Sequence, residues 1–379
     1  MDHIIELSNI EKTIFDAAAR KRQPFSGGFE LTPYCNLACK MCYVKELKPG
    51  LQVLSGEQWM EIGRQAAQAG VFGIVLTGGE PLLHPDFKMI YSGLKKLGMI
   101  LSINTNGTLI DEDIADFLAA DMPRCVNISL YGADRNCYNA LCGVPNAFDK
   151  TIRGIELLQE RNIQVKINVT PSVINFEQIP QIFQLCRKMG LPIQVTPYLF
   201  EPVRKSTQEK QQYRVSQQQM AAILMLVTRM ETNQETWIRQ KAVCFEALER
   251  FSADKTGKDE VDTIQCGAGI NGFWVCWDGC MNLCAMMPST HVDILGNGFM
   301  DAWEQIKAAS DNIRVPKRCS GCSLSAFCNS CAATSLHDAG SCEKISPYIC
   351  QTTQVYARMM ANGIVKKEQS EIESERESQ

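Results

Sequence analysis

From about residue 28 to residue 200, short β-branched and apolar runs alternate with polar segments of helical period. The runs 29–32, 72–77, 100–104, 126–130, 165–170 and 193–197 read as strands. Between them, one amphipathic segment starts at Ser55, with Gln58 three residues on as a capping box, and ends near Gly70. Further helical segments cover 86–97, 111–120, 147–161 and 176–189. Gly70, Gly98 and Gly190 follow these helices as C-terminal caps. Strand then helix, repeated six times, predicts parallel βα units. Six units rather than eight predict an α/β fold built as a partial (β/α)6 TIM-like barrel.

The flanks read differently. Residues 1–27 predict an N-terminal amphipathic helix ahead of the barrel at 28–200. Residues 201–260 lose the strand signal, look helical at 216–230 and 237–251, and end in a polar linker at 252–260. A turn-rich, cysteine-rich domain is expected at 261–356, and a solvated polar tail at 357–379.

The 379 residues carry 38 Lys plus Arg against 42 Asp plus Glu, a net charge of −4. That balance argues against a phosphate-tracking nucleic-acid binder and against a basic membrane-surface protein. No apolar run is long enough to span a membrane, and the N-terminus lacks the apolar core of an export signal. The expected location is therefore the cytoplasm, where thiols stay reduced. This decides how to read 18 cysteines, ten of them in the 85 residues from Cys266 to Cys350. Such a density suits disulfide scaffolds or metal domains, and a reducing compartment favours metal ligands.

Cys35, Cys39 and Cys42 form C-x3-C-x2-C directly after the first strand. Three thiolates in one loop can hold three irons of a four-iron cluster and leave the fourth open. A zinc knuckle is the alternative from spacing alone. The loop sits at the carboxyl end of a barrel strand, where barrel active sites form. The second strand ends in Thr77-Gly78-Gly79-Glu80-Pro81. Its glycines allow close backbone approach to a ligand, and Glu80 could receive a ligand ammonium.

In these two motifs, and with Tyr43 after the third cysteine, the stretch from about Gly28 to Pro197 resembles the radical SAM superfamily. The resemblance implies a [4Fe-4S] cluster on Cys35, Cys39 and Cys42 whose open iron chelates S-adenosylmethionine. One-electron cleavage then gives a 5′-deoxyadenosyl radical. It further implies cofactor contacts from Gly78, Gly79, Glu80, Asn106, Ser129, Asn168 and Thr170, although an Asn-Gly turn and a strand end also explain Asn106 and Ser129.

The second group is Cys266, Cys284, then Cys319-x2-Cys322-x5-Cys328-x2-Cys331, then Cys350. Paired C-x2-C elements alone would pass for a zinc ribbon. Beside the first motif they resemble the SPASM extension, which carries two auxiliary [4Fe-4S] clusters. The resemblance assigns Cys319, Cys322, Cys328 and Cys350 to an outer cluster and Cys266, Cys284 and Cys331 to an inner one. Cys331 arrives one residue earlier than the family spacing. The inner set lacks an obvious fourth ligand, for which Cys276 and Cys280 compete. Cys125, Cys137, Cys142, Cys186 and Cys244 have no ligand spacing and are expected to pack as small hydrophobes.

The resemblance implies a maturase of a ribosomally made peptide, acting by crosslinking, epimerisation or backbone excision. No general base is identifiable. A formylglycine-forming sulfatase maturase is the alternative; such relatives carry Asp where Ala285 stands. A non-catalytic carrier with three clusters is a reading of another class. The expected partners are a peptide or protein substrate and an electron donor such as flavodoxin or ferredoxin. Either a separate leader-peptide-binding protein or direct recognition by the cysteine-rich domain is expected too, since 34 residues before Cys35 are too few for a leader-binding domain.

Overall fold

The structure is a computed structural model that describes residues 9–44, 51–203, 212–253, 261–264, 266–287 and 290–377. In chain order the first elements are α1 (Asn9–Lys21), β1 (Ser26–Glu30), α2 (Gly56–Gln68), β2 (Gly73–Thr77), α3 (Phe87–Lys96), β3 (Ile100–Thr105) and α4 (Glu112–Ala120). They continue with β4 (Cys125–Ser129), α5 (Arg135–Cys142), α6 (Ala147–Glu160), β5 (Val165–Val169), α7 (Ile179–Lys188) and β6 (Ile193–Val195). Next come α8 (Gln217–Glu231), α9 (Gln234–Ala253), β7 (Val261–Thr263), β8 (Gly272–Val275), β9 (Cys280–Asn282) and β10 (Val292–Asp293). The chain closes with α10 (Ile294–Asn297), α11 (Phe299–Asp311), β11 (Arg314–Pro316), α12 (Lys317–Ser320), α13 (Ala332–Ala339) and α14 (Pro347–Glu377).

Two compact units result. The first holds residues 1–170, 177–213 and 265–312. Its sheet runs β10-β9-β8-β1-β2-β3-β4-β5-β6, and β1 to β6 are parallel neighbours in sequence order. The six predicted strands and five predicted helices are all present, and the Ser55–Gln58 capping box starts α2 as expected. Phe29, Trp59, Ile62, Leu76 and Leu94 are fully buried between sheet and helices, with the Phe29 and Trp59 ring centroids 5.1 Å apart. Each such side chain contributes about 1.5–3 kcal/mol by leaving water.

Two features depart from the pattern-based expectation. β1 begins three residues before Phe29, at Ser26-Gly27-Gly28, where glycines hide the strand signal. The glycines serve β8, which pairs parallel to β1 on its other edge. A Cβ on Gly27 would lie 2.5 Å from the Phe273 ring, and one on Gly28 would lie 2.3 Å from the Trp274 ring. Residues 265–312, expected inside one cysteine-rich domain at 261–356, therefore extend the barrel sheet and belong to the first unit.

The second unit holds residues 171–176, 214–264 and 313–379. Its core packs α8, α9 and α14 around Ala221, Cys244, Ala247, Leu324, Tyr356, Ala357 and Met360. β7 and β11 form a two-stranded antiparallel ribbon. Arg214 pairs with Asp338 at 2.8 Å, largely away from solvent. α14 continues to Glu377, so the tail expected to begin at 357 is helical, and Met360 within it is buried. The expected linker lies mostly outside the described residues. No helix among the described residues is long and apolar enough to cross a membrane.

Candidate functional site

The loop carrying Cys35, Cys39 and Cys42 leaves the carboxyl end of β1 and is held by backbone on both sides. On one side the Gly78-Gly79-Glu80 turn after β2 packs against residues 32–34. Gly79 N–H donates to Thr32 O at 2.7 Å, and Glu80 N–H donates to Tyr34 O at 2.8 Å. A Cβ on Gly78 would lie 2.3 Å from Thr32 O, and one on Gly79 would lie 2.3 Å from Tyr34 O. The requirement for glycine here thus comes from the chain's own backbone. On the other side stands α5. Ala38 N–H donates to Cys142 O at 2.9 Å, and Lys40 N–H donates to Leu141 O at 3.0 Å.

Sequence reading missed α5. Its signals are present, however: Asp134 caps its start by accepting from Cys137 N–H, and Gly143 ends it in the left-handed region.

Glu80 is fully buried. Its carboxylate accepts from Leu82 N–H at 3.2 Å, Thr105 Oγ1 at 2.7 Å and Asn106 N–H at 2.8 Å. Burial raises its carboxyl to about 7, opposed by the hydrogen bonds from Asn106, Thr105 and Leu82. Glu80 is thereby a strut between the ends of β2 and β3, with Cys35 close enough to feel its charge.

Asn106, buried at the end of β3, belongs to a closed ring of three side chains. Its Nδ2 donates to Asn36 Oδ1 at 2.9 Å, Asn36 Nδ2 donates to Thr108 Oγ1 at 2.7 Å, and Thr108 Oγ1 donates back to Asn106 Oδ1 at 2.6 Å. The same Asn106 Nδ2 reaches Cys35 Sγ at 3.7 Å, and Leu37 N–H reaches it at 3.4 Å. Asn36 and Thr108 were not among the expected site residues. The Thr-Asn-Gly-Thr turn after a strand, set beside a Cys-Asn pair, is the signal that could have found them. Thr108→Val removes both bonds of the ring hydroxyl and leaves the half-buried Asn36 Nδ2 without that acceptor, while Asn106 Oδ1 keeps the Thr108 N–H. The expected cost is about 1 kcal/mol, seen as a lower denaturant midpoint at unchanged slope.

Ser129 and Asn168 are register partners at the ends of β4 and β5. Ser129 shares a hydrogen bond with the phenol of the half-buried Tyr131, which also feels Cys39 and Cys42. Asn168 Oδ1 is buried without a hydrogen-bond partner, as a group awaiting a polar ligand would be. Thr170 is half-buried one residue beyond β5.

The three loop thiols are half-buried and lie close enough to influence one another. Burial pushes the Cys35 thiol up to about 12, with Glu80, Cys39 and Cys42 adding to the rise. Thiolates so placed need a cationic metal core to be stable, so this donor set fits an iron–sulfur cluster.

The remaining cysteines separate into sets. In the second unit Cys319, Cys322, Cys328 and Cys350 lie together, and burial pushes the Cys319 thiol up to about 11, with the other three adding. Cys331 starts α13, accepting from Thr334 N–H at 3.5 Å, and Cys342 feels its charge. Cys266 and Cys284 belong to the first unit, the former exposed and the latter half-buried. Cys276 is buried, its sulfur accepting from Asn282 Nδ2 at 3.3 Å, while Cys280 stands with Asp278 and His291. Cys125, Cys137, Cys142, Cys186 and Cys244 are all buried.

Comparison with known proteins places this geometry. Residues 29–196 match the Radical SAM superfamily. An AdoMet-dependent heme synthase of Methanosarcina barkeri is 26% identical over 338 residues, covering 84% of this chain and 94% of that protein. The sporulation killing factor maturation protein SkfB of Bacillus subtilis is 31% identical over 167 residues, 44% of this chain and 40% of its own. Streptococcus suis SuiB, solved bound to precursor peptide SuiA, superposes with a TM-score of 0.65 at 18% identity, over 93% of this chain and 84% of SuiB. With its C-x3-C-x2-C loop at the end of β1 and its parallel partial barrel, the stretch from residue 29 to residue 196 is a domain of the Radical SAM superfamily.

Proposed function

We propose that this radical SAM enzyme modifies a ribosomally made peptide and carries three [4Fe-4S] clusters. The likeness over 93% of the chain to SuiB, solved with a precursor peptide, carries the reading, and the partial match to SkfB supports it. Cys35, Cys39 and Cys42 would hold the first cluster. The outer auxiliary cluster falls to Cys319, Cys322, Cys328 and Cys350, whose proximity supports it. Cys266 and Cys284, both in the first unit, would serve the inner cluster.

When bound, the first cluster and S-adenosylmethionine supply one-electron cleavage and hydrogen abstraction. The chain supplies placement. Glu80 ties the ends of β2 and β3 together under the loop, the Asn36–Asn106–Thr108 ring fixes Cys35, and Asn168 Oδ1 offers an unused acceptor. A separate leader-binding protein and a flavodoxin or ferredoxin donor complete the proposal.

A second reading, a tetrapyrrole substrate, is favoured by the match to the heme synthase across 84% of the chain. One experiment separates the two. The reconstituted enzyme is turned over anaerobically with S-adenosylmethionine, reductant and short peptides encoded beside its gene, and the peptides are analysed by mass. Loss of two hydrogens, solvent-deuterium uptake or removal of a fragment supports peptide maturation. Unchanged peptides, together with a porphyrin that loses mass under the same conditions, would give the assignment to the tetrapyrrole reading.

A further inference from the structure

We propose that Asp278, Cys280 and His291 form a mononuclear site for a divalent transition metal, zinc in the first place, on the β8–β9–β10 meander. One ligand atom from each residue lies within 4.8 Å of the other two. The backbone brings them together from separate places. Gly279, at φ 81°, turns the chain between β8 and β9, so that Asp278 and Cys280 flank a tight corner. β10 runs antiparallel to β9 with Asp293 opposite Cys280. His291, two residues before Asp293, therefore shares its face and that of Cys280.

The side chains are already oriented. Asp278 Oδ1 accepts from Cys280 N–H at 3.1 Å, which fixes the carboxylate. Its other oxygen lies 2.9 Å from His291 Nε2. Asp293 lies outside the triad and caps α10, its two oxygens accepting from Leu295 N–H at 3.0 Å and Gly296 N–H at 3.1 Å. One thiolate, one imidazole and one carboxylate suit zinc and disfavour calcium or magnesium, which take oxygen alone. His291 is half-exposed, so the fourth position faces solvent. The cation would also sit where the Cys280 sulfur is flanked by two carboxylates. This assignment withdraws Cys280 from the inner iron–sulfur set and leaves Cys276 there. It does not rest on the identity of the substrate.

The competing accounts are an ordinary His–Asp ion pair above an Asp-Gly corner, and Cys280 as an iron ligand. Zinc and iron per chain separate all three. The iron-loaded full-length protein is equilibrated anaerobically with zinc(II) against a weak chelator, and both metals are counted by mass spectrometry. Wild type is expected to retain about one zinc per chain. His291→Ala and Asp278→Asn are expected to bind zinc at least tenfold more weakly with iron content unchanged, and that unchanged iron shows that they have folded. Wild type holding less than a tenth of a zinc, or variants binding it as well as wild type, overturns the site. A Cys280→Ser protein that loses about four irons per chain also overturns it, by assigning the sulfur to a cluster.

Discussion

Gly79→Ala is expected to abolish most S-adenosylmethionine cleavage while leaving the substrate-independent fold of the sheet in place. The new Cβ would lie 2.3 Å from Tyr34 O and 2.6 Å from Pro33 O, both backbone atoms that no side-chain rotation can move aside. The Glu80 N–H bond to Tyr34 O, now 2.8 Å, must open, and Cys35 is the next residue along. A displacement of about 1 Å at a reacting centre can cost on the order of 100-fold in rate. The measurement is 5′-deoxyadenosine formed per chain under reductant, with iron content alongside. Gly73→Ala is the control. There a Cβ meets Ser26 Cβ at 3.7 Å, an ordinary contact, so near-wild-type rates are expected. A Gly79→Ala protein with full iron and full rate would show that the turn does not position the cysteine loop.

The second large effect concerns the loop itself. Changing Cys35, Cys39 and Cys42 together to Ala should reduce 5′-deoxyadenosine formation to background and lower iron by about four per chain. The iron held by Cys319, Cys322, Cys328 and Cys350 should stay, because these four group within the second unit and the loop belongs to the first. Cleavage that persists in the triple variant would exclude the loop as the initiating site. Parallel loss of all iron would instead make the clusters one cooperative assembly.

Much of the barrel was legible because its physics is local. Its strands read as short β-branched and apolar runs, with every second side chain of β3 and β5 buried, and the amphipathic helices between them announce their own ends, as Ser55 and Gln58 do for α2. The strands and helix that escaped have weak local signals. β1 begins Ser-Gly-Gly, β8 to β10 are two to four residues long, and α5 has only eight residues, five of them Asn, Cys or Tyr. Their stability comes from pairing and packing at a distance, which no window of sequence contains.

The site divides in the same way. Cysteine spacing announces the loop, yet its support depends on groups remote in sequence. Asn36 and Thr108 are 72 residues apart and meet only because the ends of β1 and β3 lie near each other. Glycine at 78 and 79 was readable as a need for room, but what occupies the room is the backbone of residues 32–34.

The pairing of β8 with β1 bears on how such proteins can be recombined. A chimera that kept residues up to about 260 and took everything beyond from a relative would replace β8, the outer neighbour of β1, with a foreign segment. The incoming strand would have to meet an edge carrying Gly27 and Gly28, where the Phe273 and Trp274 rings of this chain sit. An exchange point after residue 312 keeps β8 beside β1 but separates β7 from β11 and α8 and α9 from α14, so a recombinant must carry both interleaved units whole.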